Sequence, residues 1–186
     1  SATPKQRQTL LFSATYPDDI RFATQGFLRD PLEVKVEGKH SFEQIDQRFY
    51  EIGFEGREDA VGRLLRHHRP VSALAFCNTK ARCRELADAL QAQGFSARAL
   101  YGELEQSERD EILVLFANRS CSVLVATDVA ARGLDIADLD TVINVDVSKD
   151  PEVHVHRIGR TGRAGGSGMA HTLCAPNEKK WVGLIE

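Results

Sequence analysis

The sequence lacks the features typical of several classes of protein. Its four cysteines form no C-x-x-C pair and its six histidines have no metal-ligand spacing, which argues against a disulfide framework and against a zinc site. We therefore predict reduced thiols and no metal. No apolar run approaches the roughly 20 residues that span a bilayer, and no signal-peptide pattern is recognisable. These absences predict a cytoplasmic protein with no membrane partner.

An excess of positive charge is also missing, because the formal net charge of the 186 residues is -3. A protein that binds nucleic acid through a global basic field would carry a clear positive balance. Any nucleic-acid site must therefore be a local cationic surface. The length allows one packed domain and a short additional piece.

Apolar runs of strand length alternate with segments of helical periodicity through most of the chain. This alternation predicts an α/β domain with right-handed crossovers and a mostly parallel sheet. The predicted strands are Ser72–Phe76, Ala97–Leu100, Ser122–Ala126 and Thr141–Val145. The predicted helices are one around Ala60–Leu65, one from the N-cap Thr79 to the C-terminal Gly94, and one over Leu104–Asn118.

The beginning of the chain fits this repeat poorly. We predict a strand at Thr9–Ser13, a helix from about Pro17 to Leu28, a short extended stretch at Leu32–Glu37, and a polar linker at Gly38–Ser41. A strand and helix without sheet neighbours suggest the remnant of a preceding domain. We accordingly assign residues 1–37 to that remnant and the start of a linker, and residues 38–186 to the main domain.

Polar and small residues follow the predicted strands at the ends where ligands gather in parallel sheets. Asn78 and Thr79 follow one strand, Gly102 the next and Thr127 the third. Free N–H groups at a helix start, together with short hydroxyls, suit phosphate. Thr79 alone could equally be a helix cap. Arg109, near Gly102, could contact a nucleic-acid backbone or belong to a solvated helix side.

The run His154-Val155-His156-Arg157-Ile158-Gly159-Arg160-Thr161-Gly162-Arg163 is the sharpest pattern. Three arginines spaced by three residues and separated by glycines predict a helix to about Ile158 and then a turn that presents Arg160 and Arg163. A guanidinium offers a fixed fork of donors that matches phosphate oxygens. The alternative is a surface arginine cluster paired with Glu152 or other carboxylates.

Two elements of a complete ATPase are missing from the sequence. There is no G-x-x-x-x-G-K-[ST] loop to hold phosphates and no acidic stretch of the Walker B type to hold magnesium. We therefore expect that this chain acts on ATP only together with another domain that carries those elements.

Taken together, the motifs resemble motifs III to VI of the DEAD-box RNA helicases, in order and spacing. They are SAT at Ser13–Thr15, FCNTK at Phe76–Lys80, Y-G-x-x-x-Q-x-x-R at Tyr101–Arg109, VLVATDVAARGLD at Val123–Asp135, and HRIGRTGRAG from His156. The resemblance covers nearly the whole chain. It implies that the chain is the C-terminal RecA-like domain, a three-layer α/β/α sandwich. Within the family, the sequence most resembles the bacterial subgroup linked to ribosomal RNA.

The resemblance also implies roles for individual residues. Arg160 and Arg163 match the arginine fingers that reach ATP across the domain interface, and His156 matches a residue linking the nucleotide to the other domain. Asp135 matches a carboxylate that binds the ribose, with Gly133 beside it. The positions that match contacts to RNA are Asn78, Thr79, Gly102, Arg109, Thr127 and Arg132.

The implied function is the C-terminal half of an ATP-dependent RNA helicase in ribosome assembly, inactive as an ATPase in isolation. Its ligands would be ATP, with Mg²⁺ held mainly by the absent N-terminal domain, and RNA, with ribosomal RNA as the expected target. Two alternatives stay open. One is a module that binds RNA and never meets an ATPase partner, and the other is half of a DNA helicase, which His156 disfavours.

Overall fold

The computed structural model describes residues 4, 6–12, 18–34, 45–53, 56–132, 134, 136, 138–162 and 166–185. The chain forms two compact units, Ser1–Lys39 and His40–Glu186. The first unit contains helix α1 (Asp18–Thr24), which confirms the predicted helix but ends four residues earlier than expected. Whether this unit is the remnant of a preceding domain stays a prediction.

The predicted strand at Thr9–Ser13 is wrong for the part that the structure describes, because Thr9–Phe12 form no strand. A strand needs a neighbour for its backbone N–H and C=O groups, and the described residues offer none to this run. The side chain of Phe12 is 87% exposed and that of Phe22 is 77% exposed. Ser13, Thr15 and the predicted polar linker Gly38–Ser41 lie outside the described residues.

The second unit is built from six strands and six helices among its described residues. The strands are β1 (Ile45–Glu51), β2 (Ala73–Phe76), β3 (Ala97–Leu100), β4 (Val123–Ala126), β5 (Thr141–Asn144) and β6 (Gly168–Cys174). The helices are α2 (Arg57–His68), α3 (Lys80–Ala92), α4 (Gln106–Ala117), α5 (Asp128–Ala131), α6 (Pro151–Ile158) and α7 (Lys179–Ile185), and a 3-10 turn at Pro176–Glu178 precedes α7.

The strands form one sheet in the order β1-β6-β5-β2-β4-β3, and all neighbours pair in parallel. All four predicted strands are confirmed. Strands β1 and β6 are not predicted from the sequence. Strand β1 reads Ile-Asp-Gln-Arg-Phe-Tyr-Glu and lies at the sheet edge with exposed polar positions, so it lacks the continuous apolar run of a doubly buried strand.

Helices cover both faces of the sheet. Strand residues whose side chains point to one face pack against α2 and α3, and those pointing to the other face pack against α4 and α5. Helix α6 joins the second layer, because His154 on it contacts Gln47 and stacks on Phe49 of β1. The predicted three-layer α/β/α sandwich is thus confirmed, as is the end of α6 at Ile158.

The predicted ends of α3 are also confirmed. The Thr79 hydroxyl accepts a hydrogen bond from the Arg82 backbone N–H at 3.2 Å, which is the usual N-cap contact. Gly94 follows the C-cap with a φ of 88°, a left-handed conformation that favours glycine. The four cysteines are free thiols and all are buried. A hydrogen bond with the Cys83 thiol and burial raise the pKa of the Cys77 thiol.

Candidate functional site

The strand order brings four of the polar strand ends into one row. Strands β5, β2, β4 and β3 are consecutive neighbours and parallel, so the residues that follow them lie along one edge of the sheet. That row contains Asp146 after β5, Asn78 and Thr79 after β2, Thr127 after β4 and Gly102 after β3. The expectation that the polar strand ends share one edge is therefore met, and we call this row the strand-end site.

Arg157 of α6 is the structural centre of the strand-end site. Its side chain is buried at 2% exposure, and its Nε and Nη2 atoms donate to the two carboxylate oxygens of Asp128 at 2.7 Å each. Nη1 donates to the Asp146 carbonyl at 2.7 Å, and Nη2 also donates to the Asn78 side-chain oxygen at 3.0 Å. The guanidinium lies over the Phe76 ring. One cation thus holds the ends of β2, β4 and β5 together.

Asp146 extends this network to α2. Its carboxylate accepts from the Asn78 backbone N–H at 2.8 Å and forms an ion pair with Arg57 at 3.2 Å. Arg57 also donates to the Val145 carbonyl and pairs with Glu178 at 2.6 Å. Arg157, Asp146 and Arg57 therefore each have an opposite charge in this network, which is the condition under which buried charges are tolerated.

This network is not predicted from the sequence. The arginine run predicts phosphate contacts for Arg160 and Arg163 only, and no local pattern links Arg157 to Asp128. The available pattern was a carboxylate directly after Thr127 and an arginine on the buried face of α6. Arg57 and Glu178 are 121 residues apart, and nothing in the local sequence links them.

The two threonines of the strand-end site both cap helices. The Thr127 hydroxyl accepts from the Ala130 N–H at 3.3 Å, as the Thr79 hydroxyl does from Arg82. The capping alternative for Thr79 is therefore confirmed. A hydroxyl that caps a helix stands beside the free N–H groups of the first turn, where anions bind. Capping and contact with a phosphate are thus compatible, and the RNA role stays a prediction.

Arg109 faces the strand-end site from α4. Its guanidinium is partly buried and donates to the Ala130 carbonyl at 2.7 Å, which places it next to the helix that follows β4. Gln106, one turn earlier, donates to Asp110 at 2.7 Å. Gly102 and Arg132 are exposed. Arg109 therefore lies beside the strand-end site, whereas Arg132 is the C-terminal capping residue of α5.

Arg160 occupies a different place from Arg157, although both come from the same run. Its Nη1 atom donates to the Leu134 carbonyl at 3.4 Å, and its own carbonyl accepts from the Leu139 N–H at 3.2 Å. Both partners belong to the connection between α5 and β5. Arg160 therefore lies beside that connection, while Arg157 reaches the strand ends. The arginines of this one run thus contact two different parts of the domain.

The glycines in this run have a structural reason of their own. Gly162 has a φ of 68°, and a Cβ built on it would lie 2.7 Å from the Ile45 side chain. Only glycine satisfies both conditions without strain or movement. The glycine pattern, which favoured phosphate binding in the sequence, is thus also required for the turn that leads from α6 to β6.

The histidines of α6 differ in burial. His156 is exposed, so it is accessible to a neighbouring domain or ligand. His154 is buried, and burial together with the nearby Arg157 charge lowers its pKa to about 4. The predicted residues Gly133, Asp135 and Arg163 lie outside the described residues, and their roles stay predictions.

Metal and membrane sites are not found in the described part of the chain. No group of three or more histidine, cysteine or acidic side chains there is arranged to hold a metal ion. No helix there has the length and apolar character that crossing a bilayer requires.

A three-layer domain with a parallel sheet and a row of polar strand ends belongs to the class of α/β domains that bind ligands at the carboxyl ends of their strands. The chain belongs to the family described as the helicase conserved C-terminal domain, which matches residues 56–165.

The most informative sequence relatives are bacterial RNA helicases. The chain is 51% identical over 182 residues to the ATP-dependent RNA helicase DbpA of Escherichia coli (strain K12), covering 98% of this chain and 40% of that protein. It is 46% identical over 187 residues to the DEAD-box ATP-dependent RNA helicase CshA of Bacillus subtilis (strain 168), covering 100% of this chain and 38% of that protein. The chain thus spans well under half the length of these relatives.

Solved structures agree with this assignment. A DEAD box protein from Methanococcus jannaschii superposes with a TM-score of 0.73 at 38% identity, covering 100% of this chain and 50% of that one. The Dbp5 protein of S. cerevisiae bound to RNA and ADP BeF3 superposes with a TM-score of 0.84 at 29% identity, covering 98% of this chain and 49% of that one. The predicted RecA-like domain of a DEAD-box helicase is confirmed.

Proposed function

We propose that this chain is the C-terminal half of an ATP-dependent RNA helicase, which grips RNA along its backbone and completes an ATP site presented by another domain. The observation that carries the proposal is the separation of the two groups of residues. The strand-end site gathers hydroxyls, helix starts and Arg109 along one edge, while Arg160 lies apart from them beside the α5–β5 connection.

Arg160 is the described residue best suited to a nucleotide phosphate. Its guanidinium is partly buried, and a planar fork of donors matches phosphate oxygens. Arg163 and His156 would act beside it, and Asp135 and Gly133 would hold the ribose side of the nucleotide. Bound ATP, with its Mg²⁺ held mainly by the other domain, would supply the phosphoryl group whose charge these arginines stabilise.

The strand-end site would hold RNA without reading its sequence. Thr79 and Thr127 stand at helix starts, and Asn78 is fixed through its side-chain oxygen by Arg157. Hydroxyls, backbone N–H groups and arginines are the groups that contact phosphates and sugars. Gly102, Arg109 and Arg132 complete the surface. Closure of the two domains on ATP and RNA would then distort one strand and open a short duplex.

A narrower proposal concerns the RNA itself. The combination of FCNTK, Leu-Glu-Gln after the Gly102 turn and Pro-Glu-Val-His-Val-His-Arg-Ile-Gly-Arg resembles the bacterial subgroup linked to ribosomal RNA. On this basis the target would be ribosomal RNA and the process ribosome assembly in the cytoplasm. Crosslinking in cells followed by sequencing of the bound RNA checks this, and a library dominated by messenger RNA would contradict it.

The experiment that tests the function compares the isolated chain with the complete parent protein. Without a phosphate-binding loop, the isolated chain should show no ATP hydrolysis above background, with or without RNA, while the complete protein should hydrolyse ATP in an RNA-dependent manner. Steady turnover by the isolated chain would sink the composite-site proposal. A complete protein that binds RNA but hydrolyses no ATP would favour a plain RNA-binding module.

A further inference from the structure

A groove with two arginines at its lining lies between α2 and strand β1, on the sheet face that α2 covers. Its charged and aromatic lining consists of Arg48 and Tyr50 from β1 and Arg63, His67 and His68 from α2. Leu173 of β6 forms part of its apolar floor. We call this surface the α2–β1 groove.

The described lining of the groove contains two arginines and no acidic residue. Asp46, just outside the lining, balances the charge of Arg48 at 2.6 Å, and both side chains of that pair are half exposed. Arg63 is exposed and has no hydrogen-bond or ion-pair partner among the described residues. In a chain whose net charge is -3, an arginine left without an acid beside a second arginine marks a local site for an anion.

Stacked aromatic rings accompany the two arginines. The ring centroids of His67 and His68 are 4.7 Å apart, and those of His68 and His171 are 4.6 Å apart and stacked. The Tyr50 hydroxyl lies 3.3 Å from Nδ1 of His171. His171 is fully buried, and its Nε2 atom has no hydrogen-bond partner among the described residues. Planar rings beside guanidinium groups are the surface on which unpaired bases stack.

The groove is separate from both parts of the site described above. Arg57, at the start of α2, contacts Asp146 in the strand-end site. His68 ends the same helix eleven residues later, about 16 Å further along its axis at 1.5 Å per residue. Arg48 and Tyr50 point to the α2 face, while His154 of α6 contacts Gln47 and Phe49 on the other face. The sheet therefore lies between the groove and α6.

We propose that the α2–β1 groove binds single-stranded RNA as a second contact on this domain, with Arg48 and Arg63 on the phosphates and Tyr50, His67 and His68 beside the bases. The proposal rests on the proposed RNA-directed function and adds a place for RNA beyond the strand-end site. Unpaired RNA carries both a phosphate for the arginines and a flat base for the rings, whereas an acidic peptide offers only the charge.

The test uses a fluorescein-labelled uridine decamer and the 186-residue chain, with affinity measured by anisotropy over a range of salt. Arg63→Gln should raise the Kd by about fivefold and reduce the salt slope by about one unit, because one phosphate contact is lost. Arg84→Gln is the matched control, since Arg84 is also an exposed helical arginine but lies on α3, and it should change the Kd less than about twofold. Arg109→Gln reports on the strand-end site.

A decamer containing 4-thiouridine gives an independent readout. Irradiation should attach it to the segment that contains Tyr50 or to α2, and Arg63→Gln should reduce that product while the Arg84→Gln variant retains it. If Arg63→Gln behaves like Arg84→Gln while Arg109→Gln weakens binding, the groove proposal is overturned and the strand-end site stands.

Two other outcomes would also overturn the groove proposal. If no RNA binds at protein concentrations up to about 10⁻⁴ M at low salt, the groove proposal and the RNA grip of this chain fall together. If a polyglutamate peptide binds in an Arg63-dependent manner while the decamer does not, the groove serves an acidic protein partner.

Discussion

Two arginine-containing surfaces of this domain differ in how deeply their arginines are buried and in how completely they are paired. In the strand-end site, Arg157 and Arg57 are buried or nearly so and each faces carboxylates at 2.6 to 3.2 Å. In the α2–β1 groove, Arg48 is paired with Asp46 at 2.6 Å but both side chains are half exposed, and Arg63 is exposed and has no partner among the described residues. A matched, buried arginine holds strands together, whereas an unmatched, exposed one is available to a ligand. Burial and pairing thus separate structural arginines from candidate binding ones.

The largest expected effect is on Arg157. Replacing it by glutamine leaves Asp128 without its bidentate partner and removes the donors to Asn78 and Asp146, so Arg157→Gln should lower the free energy of unfolding by about 3 to 5 kcal/mol. Urea denaturation of the 186-residue chain measures it, with Arg84→Gln as the control for loss of one charge. A loss below about 1 kcal/mol would show that the network does not hold the strand ends.

The second effect is on pH dependence. Burial lowers the pKa of His154 and of His171 to about 4 in the fold, against about 6.5 for an unfolded chain. The unfolded state therefore binds more protons between these values, and stability falls as the pH falls from about 6.5 to about 4. When the pH is lowered from about 7.5 to about 5, each histidine should reduce the free energy of unfolding by about 2 kcal/mol.

Urea denaturation at both pH values measures this dependence, and His171→Gln isolates one of the two histidines. Acidic side chains titrate in the wild type and the variant alike, so the difference between their pH profiles reports on His171. The variant should lose less stability on acidification than the wild type. Equal losses would mean that His171 is already protonated, or solvated, at neutral pH.

A smaller effect is expected at the start of α3. Thr79→Ala removes the hydroxyl that accepts from the Arg82 N–H and should destabilise the domain by about 1 kcal/mol, while Thr79→Ser keeps the cap. Thermal unfolding of both variants checks this. If serine and alanine cost the same, the hydroxyl contributes nothing to the cap and its place in the strand-end site has another cause.

The smallest effect on stability is expected at Arg63 in the groove. Because it has no described partner and its side chain is exposed, Arg63→Gln should change the free energy of unfolding by less than about 0.5 kcal/mol. The same variant should weaken RNA binding. Arg63→Gln should therefore lower RNA affinity with little change in stability, whereas Arg157→Gln should lower stability. A clear loss of stability in urea denaturation of Arg63→Gln would remove this contrast.

Local sequence patterns predicted the elements whose environment is uniform. Strand β4 (Val-Leu-Val-Ala) is buried on both faces and reads as a continuous apolar run, and α3 carries a recognisable cap at Thr79. Strand β1 has no such run, because one edge of it is unpaired in the sheet and its exposed positions are polar. The segment Thr9–Phe12 includes an apolar run of strand type, but no partner strand is present among the described residues, and the segment forms no strand.

The sequence predicted most residues of the site, but it did not predict that Arg157 and Arg160 would have different surroundings. Polar residues after three strands indicated the shared edge, since parallel strands end on the same side. That Arg157 turns inward to Asp128 while Arg160 contacts Leu134 depends on tertiary contacts 26 to 29 residues away in sequence. Spacing along one helix cannot distinguish these partners.

We propose that Arg160 acts on ATP presented by another domain, whereas Arg157 stabilises the fold. The test is RNA-stimulated ATP hydrolysis by the complete parent protein carrying Arg160→Ala, with Arg84→Ala as the control and circular dichroism to verify folding. We expect a folded protein whose rate falls about 10³-fold or more. A folded Arg160→Ala protein that hydrolyses ATP at the wild-type rate would contradict it.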